Sequence, residues 1–283
     1  MGKVGKKKKF REMVLFIKLL GKRFVEDNTA DLAATLAYYF LLSLFPLVIF
    51  LFAVLPYMGL TQQELLPFLS RYLPGEVMSL IRENLGDVFT RSGGLLSIGI
   101  IATFWAASNA INALIRTLNH AYHVKETRSF IVIRMLAMIL TLAMVFAIVL
   151  TLAVNVFSVA FAQKFFQKVG IADNFADMWS AVSPLLTFVV VVFILAYLYA
   201  LGPNMRLKLK EVRVGALLAG SGWQAASYGF SFYVRYFGHY SATYGTLGGI
   251  IILMLWFYIT AMTIIVGGQI NAILHHLQIG RGM

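Results

Sequence analysis

The sequence contains no cysteine and little charge. With no cysteine among its 283 residues, disulfides, thiolate metal sites and cysteine nucleophiles are all excluded. Charged residues make up only 13% of the chain, whereas soluble globular domains usually carry about 25%. Hydrophobic residues reach 60%, and the mean hydropathy is +0.79. Because this composition cannot cover the chain with water-soluble surface, we predict an integral membrane protein.

Six apolar stretches are long enough to cross the hydrocarbon core, which takes about 20 residues as helix. The predicted spans are Leu32–Met58, Leu95–Leu118, Phe130–Phe161, Trp179–Leu201, Val214–Phe237 and Leu247–Leu274. Their periodicity is helical, so the predicted fold is all-α. We expect a single membrane domain, with a cytoplasmic amphipathic arm (1–27) before a six-helix bundle (32–274). Two short outer helices, divided at Pro74-Gly75, are predicted between the first two spans.

The net charge of +12 is distributed unevenly across the predicted topology. Eighteen of the 24 Lys and Arg residues fall on the side that holds both termini, and the acidic residues divide evenly. This asymmetry matches the positive-inside rule, which places both termini in the cytoplasm and accounts for the charge without nucleic acid.

The basic N-terminal arm also carries apolar residues at helical spacing. They are Phe10, Met13, Val14, Ile17, Leu20, Gly21 and Phe24. This pattern favours an amphipathic helix on anionic headgroups. The alternative is a charge cluster that only sets topology.

The stretch YFGHYSATYGTLGG, Tyr236–Gly249, is rich in glycine but has no Lys in phosphate-loop spacing and no preceding strand. We therefore predict a tight outer turn. Its tyrosines are typical of an interfacial aromatic belt.

Several blocks of the sequence resemble one family, in order along the chain. They are DLAATLAYYFLLSLFPLVIF, FWAASNAINALIRTLNHAY and YSATYGTLGGIIILMLWFYITAMTIIVGGQINAIL. Over Asp27 to Leu274 the chain resembles the YihY/BrkB proteins of the bacterial cytoplasmic membrane. That resemblance implies six membrane helices and a transport-type role, with some members linked to export of envelope lipids or lipopolysaccharide precursors. Where the family usually has G-A-E-L-N-A, this chain has GGQINA, so Gln269 replaces an acid and proton coupling there is in doubt.

Polar residues inside spans are costly and usually face the bundle interior or water. Asn109, Asn112 and Arg116 share one face of the second span. The predicted cavity, open to the cytoplasm, is lined by Asp31, Tyr38, Tyr39, Asn109, Asn112, Arg116, Gln224 and Gln269. The alternatives are snorkelling of Arg116 to lipid phosphates and plain interhelical hydrogen bonding of the asparagines.

Two further expectations concern Pro46 and Arg116. Pro46 should kink the first span, either as a static bend or as a hinge. Arg116 is predicted to bind an anionic group, and Asp31 to hold its guanidinium in the absence of substrate.

Catalytic motifs and metal-ligand spacings are absent from the sequence, so we expect no enzyme activity, cofactor or metal. The favoured function is a transporter, or flippase-like exporter, of an amphipathic anion, with membrane lipids as partners and no nucleic acid. The alternative is a structural protein of envelope assembly. A ribonuclease, as an old label of the family implies, would need a metal site.

Overall fold

The computed structural model describes residues 2–54, 93–161, 172–237 and 246–279. All regular secondary structure in these residues is helical, and no strand occurs in them. The helices are α1 (Gly2–Glu26), α2 (Thr29–Val54), α3 (Gly93–Ala121), α4 (Phe130–Phe161), α5 (Ala172–Leu201), α6 (Leu209–Phe237) and α7 (Thr246–Ile279). The all-α prediction is confirmed, and a helix covers each predicted span as far as the structure describes it.

Within the part of the chain that the structure describes, three helices contain stretches that are by length and composition able to cross a membrane. They are Phe130–Ala147 in α4, Val182–Leu201 in α5 and Gly248–Leu277 in α7. The count of six spans remains a prediction. The predicted outer helices and residues 238–245 of the predicted turn lie outside the described residues.

The chain divides into two compact units. One comprises residues 1–38 and 111–283, and the other comprises residues 39–110. Within the described part of the smaller unit, Ala107, Ser108 and Ala110 are buried, and the Ser108 hydroxyl donates to the carbonyl of Trp105. The residues that line the candidate site belong to the larger unit.

A two-residue turn joins α1 to α2. Asn28 adopts a φ of 48°, the left-handed region that Asn tolerates better than most residues. The Asp27 and Asn28 amides bond the carbonyls of Arg23 and Val25, which closes the end of α1. The turn therefore fixes Asp27 and Thr29 at the start of the bundle.

The apolar residues of α1 divide between two environments. Phe10, Met13 and Ile17 are more than half exposed, whereas Leu20 and Phe24 are partly covered. The Arg23 guanidinium donates to the carbonyl of Ala121 at 2.8 Å, and α1 also contacts α7. The helical arm is thus attached at its C-terminal end, and its placement on lipid headgroups remains a prediction.

Helices α6 and α7 approach closely where glycines face each other. A Cβ on Gly215 would overlap the Gly267 carbonyl and the Asn271 side chain. The fully buried Asn271 accepts a hydrogen bond from the Gly215 amide at 2.7 Å. A small-residue seam of this kind is typical of close helix packing in membranes.

The connections α3–α4 and α5–α6 are joined by a polar clamp. Arg128 forms a two-pronged ion pair with Glu126, at 2.6 and 2.8 Å, and also donates to the Gly202 carbonyl. Asn119 donates to Glu126 and accepts from the Asn204 amide, each at 2.7 Å. We call these five residues the loop clamp. It marks one end of the bundle, the loop end, where α3 and α5 finish and α4 and α6 begin.

Candidate functional site

A cavity of about 220 Å³ opens between α2 and α3 near the loop end. It is lined by Leu32, Thr35, Leu36, Ala113, Arg116, Thr117 and His120. Arg116 and His120 are four positions apart on α3, so their side chains share one face of that helix. Because leucine and alanine side chains are also part of the lining, the cavity is amphipathic, with aliphatic groups beside a guanidinium and an imidazole.

Arg116 is the permanently charged group of this cavity. Its side chain is exposed, and it forms no hydrogen bond or ion pair with any residue in the described part of the chain. The cavity hydroxyls are already engaged, because Thr35 donates to the Asp31 carbonyl and Thr117 to the Ala113 carbonyl. The free donors of the guanidinium are thus available to an anion.

His120 lies between the cavity and a buried acid. Its Nε2 is 3.7 Å from Oδ1 of Asp27; the imidazole side chain is 55% exposed and that of Asp27 only 6%. The His120 ring also contacts the His123 ring, with centroids 6.4 Å apart. His120 therefore connects the cavity surface to the interior of the loop end.

Asp27 is held from the other side by α7. The Gln269 amide donates from Nε2 to Oδ2 of Asp27 at 3.0 Å and to Oγ1 of Thr29 at 2.8 Å. Gln269 and Thr29 are fully buried. A buried carboxylate is tolerated only where such partners offset the loss of water. We call Asp27, Thr29 and Gln269 the buried node.

Four histidines gather at the loop end although the sequence scatters them. The centroid of the His123 ring is 6.4 Å from that of His276, which is 6.1 Å from that of His275. His123 follows the end of α3 in the left-handed conformation, with a φ of 54°, that is common where helices end. Its amide donates a hydrogen bond to the His120 carbonyl, and this turn fixes the position of the His123 ring. Among the described residues, no three His or acidic side chains converge as metal ligands.

The surroundings of two ionisable groups outside the apolar spans shift the pKa values of these groups. Hydrogen bonds from the Arg128 side chain lower the pKa of Glu126 from 4.5 to about 2. Burial, and then the negative charge of Glu211, raise the pKa of Tyr122 well above its ordinary value. At neutral pH the loop clamp therefore keeps its carboxylate, and the Tyr122 phenol stays protonated.

The structure places the predicted site residues in different surroundings. Arg116 lines the cavity, whereas Gln269 is in the buried node. Asp31 is exposed at the start of α2, and no ion pair joins it to Arg116 within the described residues. Tyr38 is 50% exposed, and Asn112 is partly exposed but is not among the lining residues of the cavity.

The remaining predicted residues lie farther along the chain. Gln224 is partly buried in α6, and its Oε1 is buried without a hydrogen-bond partner among the described residues. Tyr39 and Asn109 belong to the smaller unit, where both are partly exposed. Pro46 falls within α2, and its role as a bend or hinge remains a prediction.

The sequence does not predict Asp27, Thr29 or His120 as site residues. Asp27 precedes Asp31 by four positions, and the sequence favours Asp31 because it lies closer to the predicted span. The sequence DNTAD, residues 27–31, does indicate a turn, because an Asn between an acid and a Thr is typical of a turn. His120 continues the spacing of Asn112 and Arg116 by four residues, so it extends the face already identified.

These features define a helical membrane protein with an amphipathic cavity at one end of its bundle. The model of the family Virulence factor BrkB matches residues 20–281, and the chain belongs to this family. The resemblance stated from the sequence is therefore confirmed.

Relatives from several bacteria are similar over nearly all of the chain. A ribonuclease-like protein of Bacillus subtilis (strain 168), YfkH, is 44% identical over 92% of this chain and 95% of its own length. A UPF0761 membrane protein of Alkalilimnicola ehrlichii is 29% identical over 96% of this chain, which spans 60% of that relative. A UPF0761 membrane protein of Haemophilus influenzae is 25% identical over 92% of this chain and 94% of its own length. No solved structure matches the chain.

Proposed function

We propose that the protein is a transporter, or flippase-like exporter, that moves an amphipathic anion across the bacterial cytoplasmic membrane. In this proposal six helices span the bilayer, both termini are cytoplasmic, and the loop end faces the cytoplasm. The cavity between α2 and α3 receives the anionic group, and Arg116 binds it.

The observation that carries the proposal is the guanidinium of Arg116, which lies at the wall of a cavity and has no partner among the described residues. A cation within a membrane span is costly without a partner, water or lipid phosphate. The planar fork of Arg suits a carboxylate or phosphate, and it stays charged at every physiological pH. Leu32 and Leu36 supply the apolar side that the non-polar part of an amphiphile requires.

A structural role in envelope assembly is the second candidate. The packed seam of Gly215, Gly267 and Asn271 favours it. The two helices are in close backbone contact there, and α6 and α7 cannot move apart without losing the Asn271 hydrogen bond. RNA cleavage, which the name of the Bacillus subtilis relative suggests, is not proposed, because no feature of the described residues favours it.

The test measures lipid exchange in proteoliposomes. The wild-type protein is reconstituted with a trace of fluorescent phosphatidylglycerol or fluorescent phosphatidylcholine, and dithionite reports exchange between leaflets. We expect faster exchange of the anionic lipid, and a loss of at least about tenfold in Arg116→Ala, as removal of a charge-assisted bond implies.

Arg206→Ala is the matched control, because Arg206 is exposed on the α5–α6 connection and does not line the cavity. It removes the same charge and should exchange lipid as the wild type does. Equal exchange with and without protein, or equal rates in Arg116→Ala and wild type, would contradict the transport proposal and favour the structural role.

A further inference from the structure

The donors available in the cavity are few, which restricts the ligand. Thr35 and Thr117 give their hydroxyl protons to helix carbonyls, at 2.9 and 3.1 Å, so towards a ligand they act as acceptors. Leu32, Leu36 and Ala113 have no side-chain donors. Among the described lining residues, Arg116 and His120 are therefore the ones whose side chains can donate hydrogen bonds to an anion.

The imidazole of His120 has its two nitrogens in different surroundings. Nε2 faces the carboxylate of Asp27 at 3.7 Å. Asp27 is itself fixed by the Gln269 amide and by its own backbone bond to Arg23. The Asp27 carboxylate thus faces the Nε2–H side of the ring, and Nδ1 is the nitrogen that remains for a ligand; it donates to an anion when His120 is in the imidazolium form, in which both nitrogens carry a proton. The other ionisable groups around this pair are Arg23 on α1, His123 after α3, and His276 on α7, which faces His123.

We propose that Arg116 and His120 together bind the phosphate group of the ligand, and that Asp27 is a positioning residue for His120. A carboxylate has two oxygens, and the planar fork of an arginine occupies both. A phosphate has a further oxygen, which the imidazole one helical turn away is placed to meet. The two-residue set therefore distinguishes phosphate from carboxylate.

The size of the cavity determines how much of the ligand it holds. Its volume of about 220 Å³ is below the roughly 300–1,000 Å³ of sites that enclose a whole small molecule. The cavity accommodates a headgroup, and an attached chain continues outside it. The same phosphate chemistry can belong to a lipid headgroup or to a soluble phosphate ester.

This inference rests on the proposed function and is tested by binding rather than by transport. Calorimetric titration of the full-length protein in an uncharged maltoside detergent compares dodecyl phosphate, dodecanoate and monobutyl phosphate. We expect wild type to prefer dodecyl phosphate over dodecanoate about tenfold, the worth of one charge-assisted hydrogen bond. Weaker binding of monobutyl phosphate would identify a lipid phosphate as the ligand, and equal binding a soluble ester; either result supports a phosphate site.

Substitutions at Arg116, His120 and Asp27 distinguish the contribution of each residue to binding. Arg116→Ala should weaken both dodecyl ligands about tenfold or more. His120→Ala should weaken dodecyl phosphate far more than dodecanoate, so the preference falls towards one, and His120→Gln, which keeps a donor, should retain part of it. Asp27→Asn should also reduce the preference while preserving the size of the buried side chain.

The outcomes distinguish the two proposals. An unchanged preference in His120→Ala and His120→Gln overturns the phosphate assignment but leaves the role of Arg116 intact. An unchanged preference in Asp27→Asn overturns its positioning role. If wild type binds none of the three ligands, the cavity is not an anion site, and lipid exchange then decides whether the protein transports by another route.

Discussion

Gln269 of α7 and Asp27 of the α1–α2 turn are 242 positions apart in sequence and share a buried hydrogen bond of 3.0 Å. The bond ties the beginning of the bundle to its last helix. The donor is an uncharged amide, so the node holds one acid rather than two. Because Asp27 also faces His120, a change at residue 269 acts close to the cavity without lining it.

Gln269→Glu should make stability depend on pH. A second carboxyl beside Asp27 brings two like charges together in the buried node once both groups are ionised, whereas the protonated form can still donate a hydrogen bond to Asp27. The variant should therefore lose stability as pH rises, and an uncompensated buried charge costs about 3 kcal/mol. Unfolding in detergent, followed by tryptophan fluorescence from pH 5 to 8, measures the difference from wild type.

The matched control reverses the pair. In Asp27→Asn/Gln269→Glu the amide is on the turn and the carboxylate on α7, so the hydrogen bond is restored with opposite direction. We expect the double variant to recover much of the loss at pH 8. If Gln269→Glu alone is as stable as wild type at pH 8, residues 27 and 269 are not in contact.

The sequence predicts the helices well because each predicted span is an apolar segment much longer than a typical β-strand. It also identifies Arg116, because a lone cation near the end of an apolar span is conspicuous. The sequence indicates a turn near Asp27 but does not predict the buried node. The left-handed turn at Asn28 decides that Asp27, rather than Asp31, faces α7, and one residue of register changes which acid is buried. The convergence of His120, His123 and His276 likewise depends on how α3 ends relative to α7.

Glu126→Gln should weaken the loop clamp and remove its pH dependence. The folded pKa of Glu126, about 2, lies below the ordinary value of 4.5. The carboxylate therefore stabilises the fold fully above pH 4.5, and this contribution is lost as pH falls towards 2. We expect a loss of about 1.5–3 kcal/mol at pH 7, the range for hydrogen bonds to charged groups.

The comparison for Glu126→Gln is Glu26→Gln. Glu26 pairs with Lys22 at 3.6 Å, but both side chains are more than half exposed. Such a pair contributes at most about 0.5 kcal/mol. Thermal unfolding at pH 7 and pH 4 should separate the two variants; equal losses would mean that the clamp does not join the two connections.

Gly215→Ala should disrupt the seam between α6 and α7. The added methyl group meets the Gly267 carbonyl and the Asn271 side chain, neither of which can move aside without loss of the Asn271 bond. Overpacking of this kind costs about 1–3 kcal/mol. Gly229→Ala on the same helix meets no atom within 4 Å and should be neutral or stabilising, since Ala is the better helix former. Comparable melting temperatures for the two variants would contradict the close approach at Gly215.

Single-cysteine variants should establish which side of the membrane the loop end faces. The chain has no cysteine, so each introduced thiol is labelled without background. Lys125 and Lys208 are exposed on the two connections that the loop clamp joins, and they should react together. The excess of Lys and Arg on these connections predicts the cytoplasmic side. An impermeant maleimide should therefore label Lys125→Cys and Lys208→Cys only after the cells are permeabilised, whereas Lys164→Cys, on the opposite side of the predicted topology, should react in intact cells. Labelling of Lys125→Cys in intact cells would reverse the orientation and place the Arg116 cavity on the outer face.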